Sequence, residues 1–365
     1  MKISDLGEFG LIGRIKKLAP RKSSSTLIGI GDDAAALKLS ASHTLLITTD
    51  LLLEGVHFDL SYADFYSLGW KAAAVNLSDI AAMGGIPRFC LTALGIPAGV
   101  SLEQITEFYR GFNALLKSYR TTLIGGDTCF SRKGLFISVT ALGEVEPKRI
   151  ITRSGARPGD RIFVTGTLGD SAAGLELLKS GVRGRGPGAR GKELKSAIRN
   201  GSTHAHHHEQ QSNDPKSALQ NLIARHLRPV PRVDWGRKLA RSGCASAMID
   251  LSDGLSSDLF HICEQSGVGA EILANRIPFS DALRKLTGKL AKPAVHYALS
   301  GGEDYELLFT APPGKVKKIR SLKLPLTEIG LIAPGRTLSL VDNRGRKKPL
   351  RPSGYDHFGG RRSVK

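Results

Sequence analysis

Four times in this chain a short run rich in aliphatic and β-branched residues ends in aspartate. Thr26-Leu-Ile-Gly-Ile-Gly runs into Asp32-Asp33 and Thr44-Leu-Leu-Ile-Thr-Thr into Asp50. Thr121-Thr-Leu-Ile-Gly-Gly runs into Asp127, and Ala245-Ser-Ala-Met-Ile into Asp250, with Asp253 close behind. One such aspartate is an ordinary turn residue or helix cap. Four of them, separated by helix-like segments, suit a layered fold with acids in loops held by a rigid scaffold, and whether those loops converge is left to the tertiary structure. Carboxylates gathered at one edge would repel one another unless cations lay between them. All-oxygen ligand sets suit hard ions, and Mg²⁺ held by a few carboxylates and by substrate phosphates is the common arrangement.

Helix-like patterns fill the intervals: Asp64 to Met83, Leu102 to Ser118, Leu222 to Gly243 once past its prolines, and Leu255 to Gln265. Ala298 to Thr310 holds a Gly-Gly turn followed by an apolar strand. Strands and helices interleave, so the class is α/β or α+β. At about 150 residues per domain, 365 residues make two domains. Proline, glycine and charge cluster at 146–160, which sets the expected boundary: an N-terminal domain over 1–145 and a C-terminal one over 146–365. Residues 182–217 are rich in glycine, charge and histidine without a sustained apolar period, and read as a disordered or loosely ordered insertion. Four of the ten histidines lie there; a solvated loop accounts for them better than a metal site.

The formal charge of +19 invites a nucleic-acid reading, but its placement argues against a folded basic face. Residues 179–218 carry net +5 and residues 344–365 net +7, leaving +7 on the other 303. Aromatic residues are absent from 179–218, so that stretch cannot stack bases. The four cysteines, Cys90, Cys129, Cys244 and Cys263, form no CxxC pair and read as reduced thiols. No apolar run approaches the roughly 18 residues of a membrane helix, and the first residues lack signal-peptide order. Together these predict a cytoplasmic protein with no membrane partner.

A fifth acid joins the strand-end set. In the helix from Asp64 to Met83, Leu68, Ala72, Val75 and Ala82 form an apolar stripe, and Asp79 occupies a position within it. A carboxylate on a buried helix face needs an arginine partner or a metal. Gly125-Gly126, Thr165-Gly-Thr-Leu-Gly169 and Ser300-Gly-Gly302 let backbone amides approach an anion. None is a P-loop, and no GxGxxG, kinase or nucleophile-elbow signature is present. In Asp250-Leu-Ser-Asp-Gly254, Ser252 or Asp253 could cap the following helix, and the same residues suit metal and phosphate.

Taken together, the motifs are specific. Gly29-Ile-Gly-Asp-Asp-Ala34, Thr48-Thr-Asp-Leu51, Glu54-Gly-Val-His57, Ala74-Val-Asn-Leu-Ser-Asp79 and Leu123-Ile-Gly-Gly-Asp-Thr128 occur in order. Thr152-Arg-Ser-Gly-Ala-Arg-Pro-Gly-Asp160, Val164-Thr-Gly-Thr-Leu-Gly169, Arg225-His-Leu-Arg-Pro229, Ile249-Asp-Leu-Ser-Asp-Gly254, Leu299-Ser-Gly-Gly-Glu-Asp-Tyr305 and Gly354-Tyr-Asp-His-Phe358 follow. From about Gly7 to Phe358, the insertion apart, the chain resembles the thiamine-monophosphate kinases of the PurM-like ATP-binding superfamily. The resemblance implies two PurM-like α/β domains, a homodimer joined through the N-terminal domains, and ATP-dependent conversion of thiamine monophosphate to the diphosphate, the last step in making that cofactor. It implies Asp33, Thr48, Thr49, Asp50, Asp79, Asp127 and Asp250 as ligands of several Mg²⁺ ions, with Asp253 holding a further one. Gly126, Asp127, Arg153, Ser252 and Tyr109 are implied as ATP contacts, and His57, Glu303 and Tyr355 as thiamine monophosphate contacts. No covalent nucleophile or general base is expected, because the acceptor phosphate, with a second pKa near 6, is already largely dianionic.

Other members of that superfamily fit less well. A selenophosphate synthetase needs a reactive cysteine or selenocysteine in an N-terminal glycine-rich segment, and the hydrogenase-maturation dehydratase needs a C-terminal cysteine; this chain has neither. Aminoimidazole ribonucleotide synthetase is the alternative left open by residue type, and Leu299-Ser-Gly-Gly-Glu-Asp-Tyr-Glu306 favours the thiamine enzyme over it.

Overall fold

The computed structural model describes residues 3–18, 24–183 and 215–354. Tyr355 and residues 184–214 of the expected insertion lie outside the described residues; residues 182–183 and 215–217, its expected ends, are helical. After helix α1 (Ile3–Leu18), the first half is a six-stranded sheet. Its strands are β1 (Thr26–Ile28), β2 (Ala35–Lys38), β3 (Thr44–Leu53), β4 (Ile86–Ile96), β5 (Thr122–Phe130) and β6 (Phe136–Val145). They lie in the order β1-β2-β3-β6-β4-β5, antiparallel except for the β4/β5 pair. That parallel pair needs a crossover, supplied by α3 (Leu102–Ser118).

Helix α2 (Phe65–Ala82) covers one face of this sheet and is buried along almost its whole length. It starts where expected because Asp64 caps it, the Asp64 carboxylate accepting the Ser67 amide at 2.8 Å. Ser101 and Gln104 close a reciprocal capping box at the start of α3. The two helices cross at glycines. A Cβ on Gly69 would lie 1.9 Å from the Phe108 carbonyl oxygen, and one on Gly111 1.8 Å from that of Tyr66. Neither glycine has a positive φ; it is backbone-to-backbone approach that excludes a side chain.

The second half holds a seven-stranded sheet of β7 (Arg161–Thr165), β8 (Ala247–Asp250), β9 (Gly269–Leu273), β10 (Leu307–Ala311), β11 (Leu326–Ala333), β12 (Leu338–Val341) and β13 (Lys347–Pro349). Their order is β13-β12-β9-β11-β7-β10-β8, antiparallel but for β9/β12. Its longer helices are α4 (Asp170–Arg183), α5 (Pro215–Leu227), α6 (Val233–Ser242) and α7 (Leu255–Ser266). The region Leu222–Gly243 is helical past its prolines, as expected, in α6, and its first residues belong to the end of α5. Pro229 and Pro231 remove amide donors and end α5, and their carbonyls are used elsewhere: Trp70 Nε1 donates to Pro229 O and Tyr119 OH to Pro231 O, both at 2.7 Å. Both faces of this sheet are buried. Ile162, Val164, Ile249 and Leu308 pack in one core, while Phe163, Met248, Leu307 and Phe309 join the core of the first half through Val233 and Leu239 of α6.

Two of the strand-end aspartates are not at strand ends. Asp50 sits inside β3, paired with β6 from Thr44↔Val145 to Leu53↔Phe136, and Asp127 sits inside β5. Along β3, Leu46 and Leu52 point into the core beneath α2. Thr48 and Asp50 share their parity and so face α2, whereas Thr49 faces the other way.

Candidate active site

The acids meet where α2 crosses between the two sheets. Asp33 comes from the turn between β1 and β2, Thr48 and Asp50 from β3, Ser78 and Asp79 from α2, and Asp250 from the last position of β8. One carboxylate oxygen each from Asp33, Asp79 and Asp250 lie within 4.8 Å of one another. The Thr48 hydroxyl donates to Asp79, and the Ser78 hydroxyl donates to Asp250 Oδ2 at 2.6 Å. Arg153 Nε and Nη2 donate to Asp33 Oδ1 at 3.0 and 2.6 Å, and the Arg153 amide is shared by the Asp32 carboxylate at 3.3 Å. Asp33 Oδ2 is buried with no hydrogen-bond partner.

The arginine does not balance this charge. Burial raises Asp33 despite the neighbouring guanidinium. Burial and then the Asp33 charge push Asp50 up to about 6 and Asp250 up to about 7. Asp79 is held well above the ordinary carboxylate range by burial and by Asp50, Asp250 and Asp33. Buried acids with an orphaned oxygen and too little positive charge form a donor set that fits hard divalent cations.

The structure places the other predicted residues in distinct spots. The Thr49 hydroxyl, on the far face of β3, donates to the Val139 carbonyl at 3.1 Å and lies outside the cluster. Gly126 and Asp127 line a cleft of about 430 Å³ with Thr92, Tyr109, Leu123, Gly125 and Thr128. The Tyr109 and Thr92 hydroxyls are 3.0 Å apart at its floor. Asp127 is exposed there and not among the acids that converge.

Neither Ser252 nor Asp253 caps α7; Gly254 does, at φ 111°. The reason is Asp258, buried one turn into the helix, whose Oδ2 accepts the amides of Asp253 and Gly254 at 3.2 and 3.0 Å. Ser252 and Asp253 therefore lie in the turn before α7, which Asp258 holds through backbone amides. The Ser252 carbonyl in turn accepts the Glu303 amide at 2.8 Å, tying the Gly-Gly turn to this loop. Glu303 itself has φ 66°, unusual for a residue with a side chain. Its carboxylate meets Lys71 Nζ at 2.8 Å and lies 3.2 Å from His226 Nδ1. At the start of the loop after β3, His57 Nδ1 accepts the Leu53 amide at 3.0 Å, so a neutral ring carries its proton on Nε2.

Sequence reasoning missed Lys71, Ser78, His226 and Asp258. Only Lys71 left a readable signal, a lysine eight residues before Asp79 on a helix with almost no polar face.

This fold and site define a class. Residues 31–145 match the family model described as AIR synthase related protein, N-terminal domain, and residues 157–343 match AIR synthase related protein, C-terminal domain. The thiamine-monophosphate kinase of Aquifex aeolicus (strain VF5) is 38% identical over 98% of this chain and 100% of its own length. That of Escherichia coli (strain K12) is 40% identical over 96% and 98%. A solved structure of AaThiL complexed with AMPPCP and TMP superposes with a TM-score of 0.78 at 37% identity, covering 98% and 99% of the two chains. Within that class, the chain belongs to the thiamine-monophosphate kinase family.

Proposed function

We propose that this protein transfers a phosphoryl group from ATP to thiamine monophosphate, giving thiamine diphosphate and ADP. The observation that carries the reading is the buried Asp33–Asp79–Asp250 cluster with its orphaned Asp33 Oδ2, in a chain similar along its whole length to kinases of that name. A phosphate acceptor needs no base to activate it; the obstacle is bringing two polyanions together. Asp33, Thr48, Asp50, Asp79 and Asp250 would hold Mg²⁺, with Asp127 and Asp253 as further ligands. Bound there, Mg²⁺ would screen the charge of both phosphates. Arg153 holds Asp33 in place and adds a fixed positive charge beside the phosphates. Gly126 and Tyr109 form the cleft that we assign to ATP, together with Ser252. His57 and Glu303 are assigned to thiamine monophosphate, as is Tyr355, which lies outside the described residues.

We read 1–145 and 146–365 as the two domains. The face of the first sheet opposite α2 carries exposed Leu51 and Phe89, 46% and 44% accessible, which supports a homodimer through the N-terminal half. ATP as co-substrate supports action in the cytoplasm. Among the described residues no helix is long and apolar enough to cross a membrane.

The test is anion-exchange separation of products from protein, ATP, Mg²⁺ and thiamine monophosphate, with free thiamine and an Asp50→Asn variant as controls. Thiamine diphosphate formed one-for-one with ADP, from the monophosphate alone and only with Asp50 intact, is the expected result. ADP formed without diphosphate would refute the acceptor.

A further inference from the structure

Lys71 is a lysine where the helix calls for an apolar residue. It is 3% exposed on α2, and its Nζ ends 2.8 Å from Glu303 Oε1. Glu303 Oε2 lies 3.2 Å from His226 Nδ1, on α5, and the Ser171 hydroxyl, at the start of α4, lies 3.1 Å from the same nitrogen. Two segments distant in sequence thus converge on one carboxylate, and a third, through Ser171, backs the histidine. An ion pair this buried stabilises a fold poorly, because desolvating two charges costs about as much as their attraction returns. Glu303 also sits on a left-handed backbone, φ 66°, which is strained for a residue with a side chain and persists where the surroundings over-determine it. Packing alone accounts for neither feature.

The placement along α2 supplies an account. Lys71 and Asp79 are eight residues apart on the same helix, about 12 Å along it at 1.5 Å per residue. A single helix therefore carries a member of the acid cluster near its C-terminal end and the anchor of Glu303 about two turns before it. We propose that Lys71 is a positioning residue. It holds the Glu303 carboxylate at a set distance from the acid cluster, and so selects phosphate monoesters that carry an organic cation at the far end. His226 is the second support, steadying the oxygen that Lys71 does not take. The inference rests on the reading that Glu303 contacts thiamine monophosphate.

The test is steady-state kinetics on the full chain, varying ATP and thiamine monophosphate separately, for wild type, Lys71→Met, Glu303→Gln and the double variant. Lys71→Met keeps an unbranched side chain one atom shorter and removes its charge. It is expected to raise KM for thiamine monophosphate on the order of 10-fold, with KM for ATP and kcat at saturation little changed. Glu303→Gln is expected to do the same, and the double variant to be no worse than the poorer single one. Lys71→Arg, which keeps the charge but moves it, is expected to raise the same KM by less. Should the methionine variant not fold, the arginine variant decides. An unchanged KM in the arginine variant, equal effects on both substrates, or additive losses in the double variant would each overturn the inference. If the wild type makes no thiamine diphosphate at all, the underlying reading of the site fails, and this inference fails with it.

Discussion

Asp250 is one of the acids proposed to hold Mg²⁺, and Asp250→Asn is expected to stabilise the protein when no divalent cation is present. Burial and the Asp33 charge raise Asp250 from its ordinary 3.8 to about 7. At 1.36 kcal/mol per pH unit, that displacement costs the folded state about 4 kcal/mol near pH 7. The sign follows from the direction: a carboxyl raised on folding contributes most stability below pH 4, and that contribution is lost as the pH climbs toward 7. An asparagine carries no such cost, and its carbonyl can still accept the Ser78 hydroxyl now bonded to Asp250 at 2.6 Å. The neighbouring acids share the strain, so about half the figure, about 2 kcal/mol, should appear. At roughly 2–4 °C per kcal/mol, Tm should rise by about 4–8 °C. The assay is calorimetry near pH 7 in chelator and again in excess Mg²⁺. Mg²⁺ should raise the wild-type Tm far more than that of the variant, whose kinase activity should fall more than the 10–100-fold typical of losing an outer-shell partner. A variant that melts at or below wild type in chelator, with the same Mg²⁺ shift, would refute the idea that these acids await cations.

Other consequences are independent of the metal. Burial and the nearby Lys71 charge hold His226 down at about 3 against an ordinary 6.5, so its contribution to stability is full above pH 6.5 and is lost as pH falls toward 3. Near pH 5 the loss is about 2 kcal/mol, and urea titrations of His226→Gln beside wild type should lack that part of the slope. Gly69→Ala puts a methyl 1.9 Å from the Phe108 carbonyl oxygen and should cost about 3 kcal/mol by forcing α2 and α3 apart; a cost under about 1 kcal/mol would show that the crossing is soft. Glu306 is 1% exposed, accepts the Thr165 hydroxyl at 2.6 Å and Arg232 Nε at 2.8 Å, and lies near Arg225. Glu306→Gln leaves the half-buried Arg232 guanidinium without its carboxylate and should cost about 2–3 kcal/mol in denaturant unfolding.

The extents of the long helices were written in local signals. Asp64 and Ser101 are caps followed by periodic apolar residues, and α2 and α3 begin directly after them. The acids were legible as a group because each ends or interrupts an aliphatic run, and Asp79 because it breaks an apolar stripe. The division of the region 222–243 was only partly legible: its prolines announce a break, but the partners that take up Pro229 and Pro231, Trp70 and Tyr119, lie more than a hundred residues away.

What the sequence by itself determined, then, was which residue types the site would hold and which segments would carry them. Tertiary structure decided which of those side chains face one another. Period-two alternation says that Thr48 and Thr49 point to opposite faces, but only the pairing of β3 with β6 and the seating of α2 choose Thr48 for the cluster and turn Thr49 away. Ser78, His226 and Asp258 were invisible for the same reason, and Lys71 showed only as a lysine on an apolar helix, without its partner. A buried polar residue is explained by the partner that compensates it, and that partner is set by long-range packing, not by neighbours in the chain.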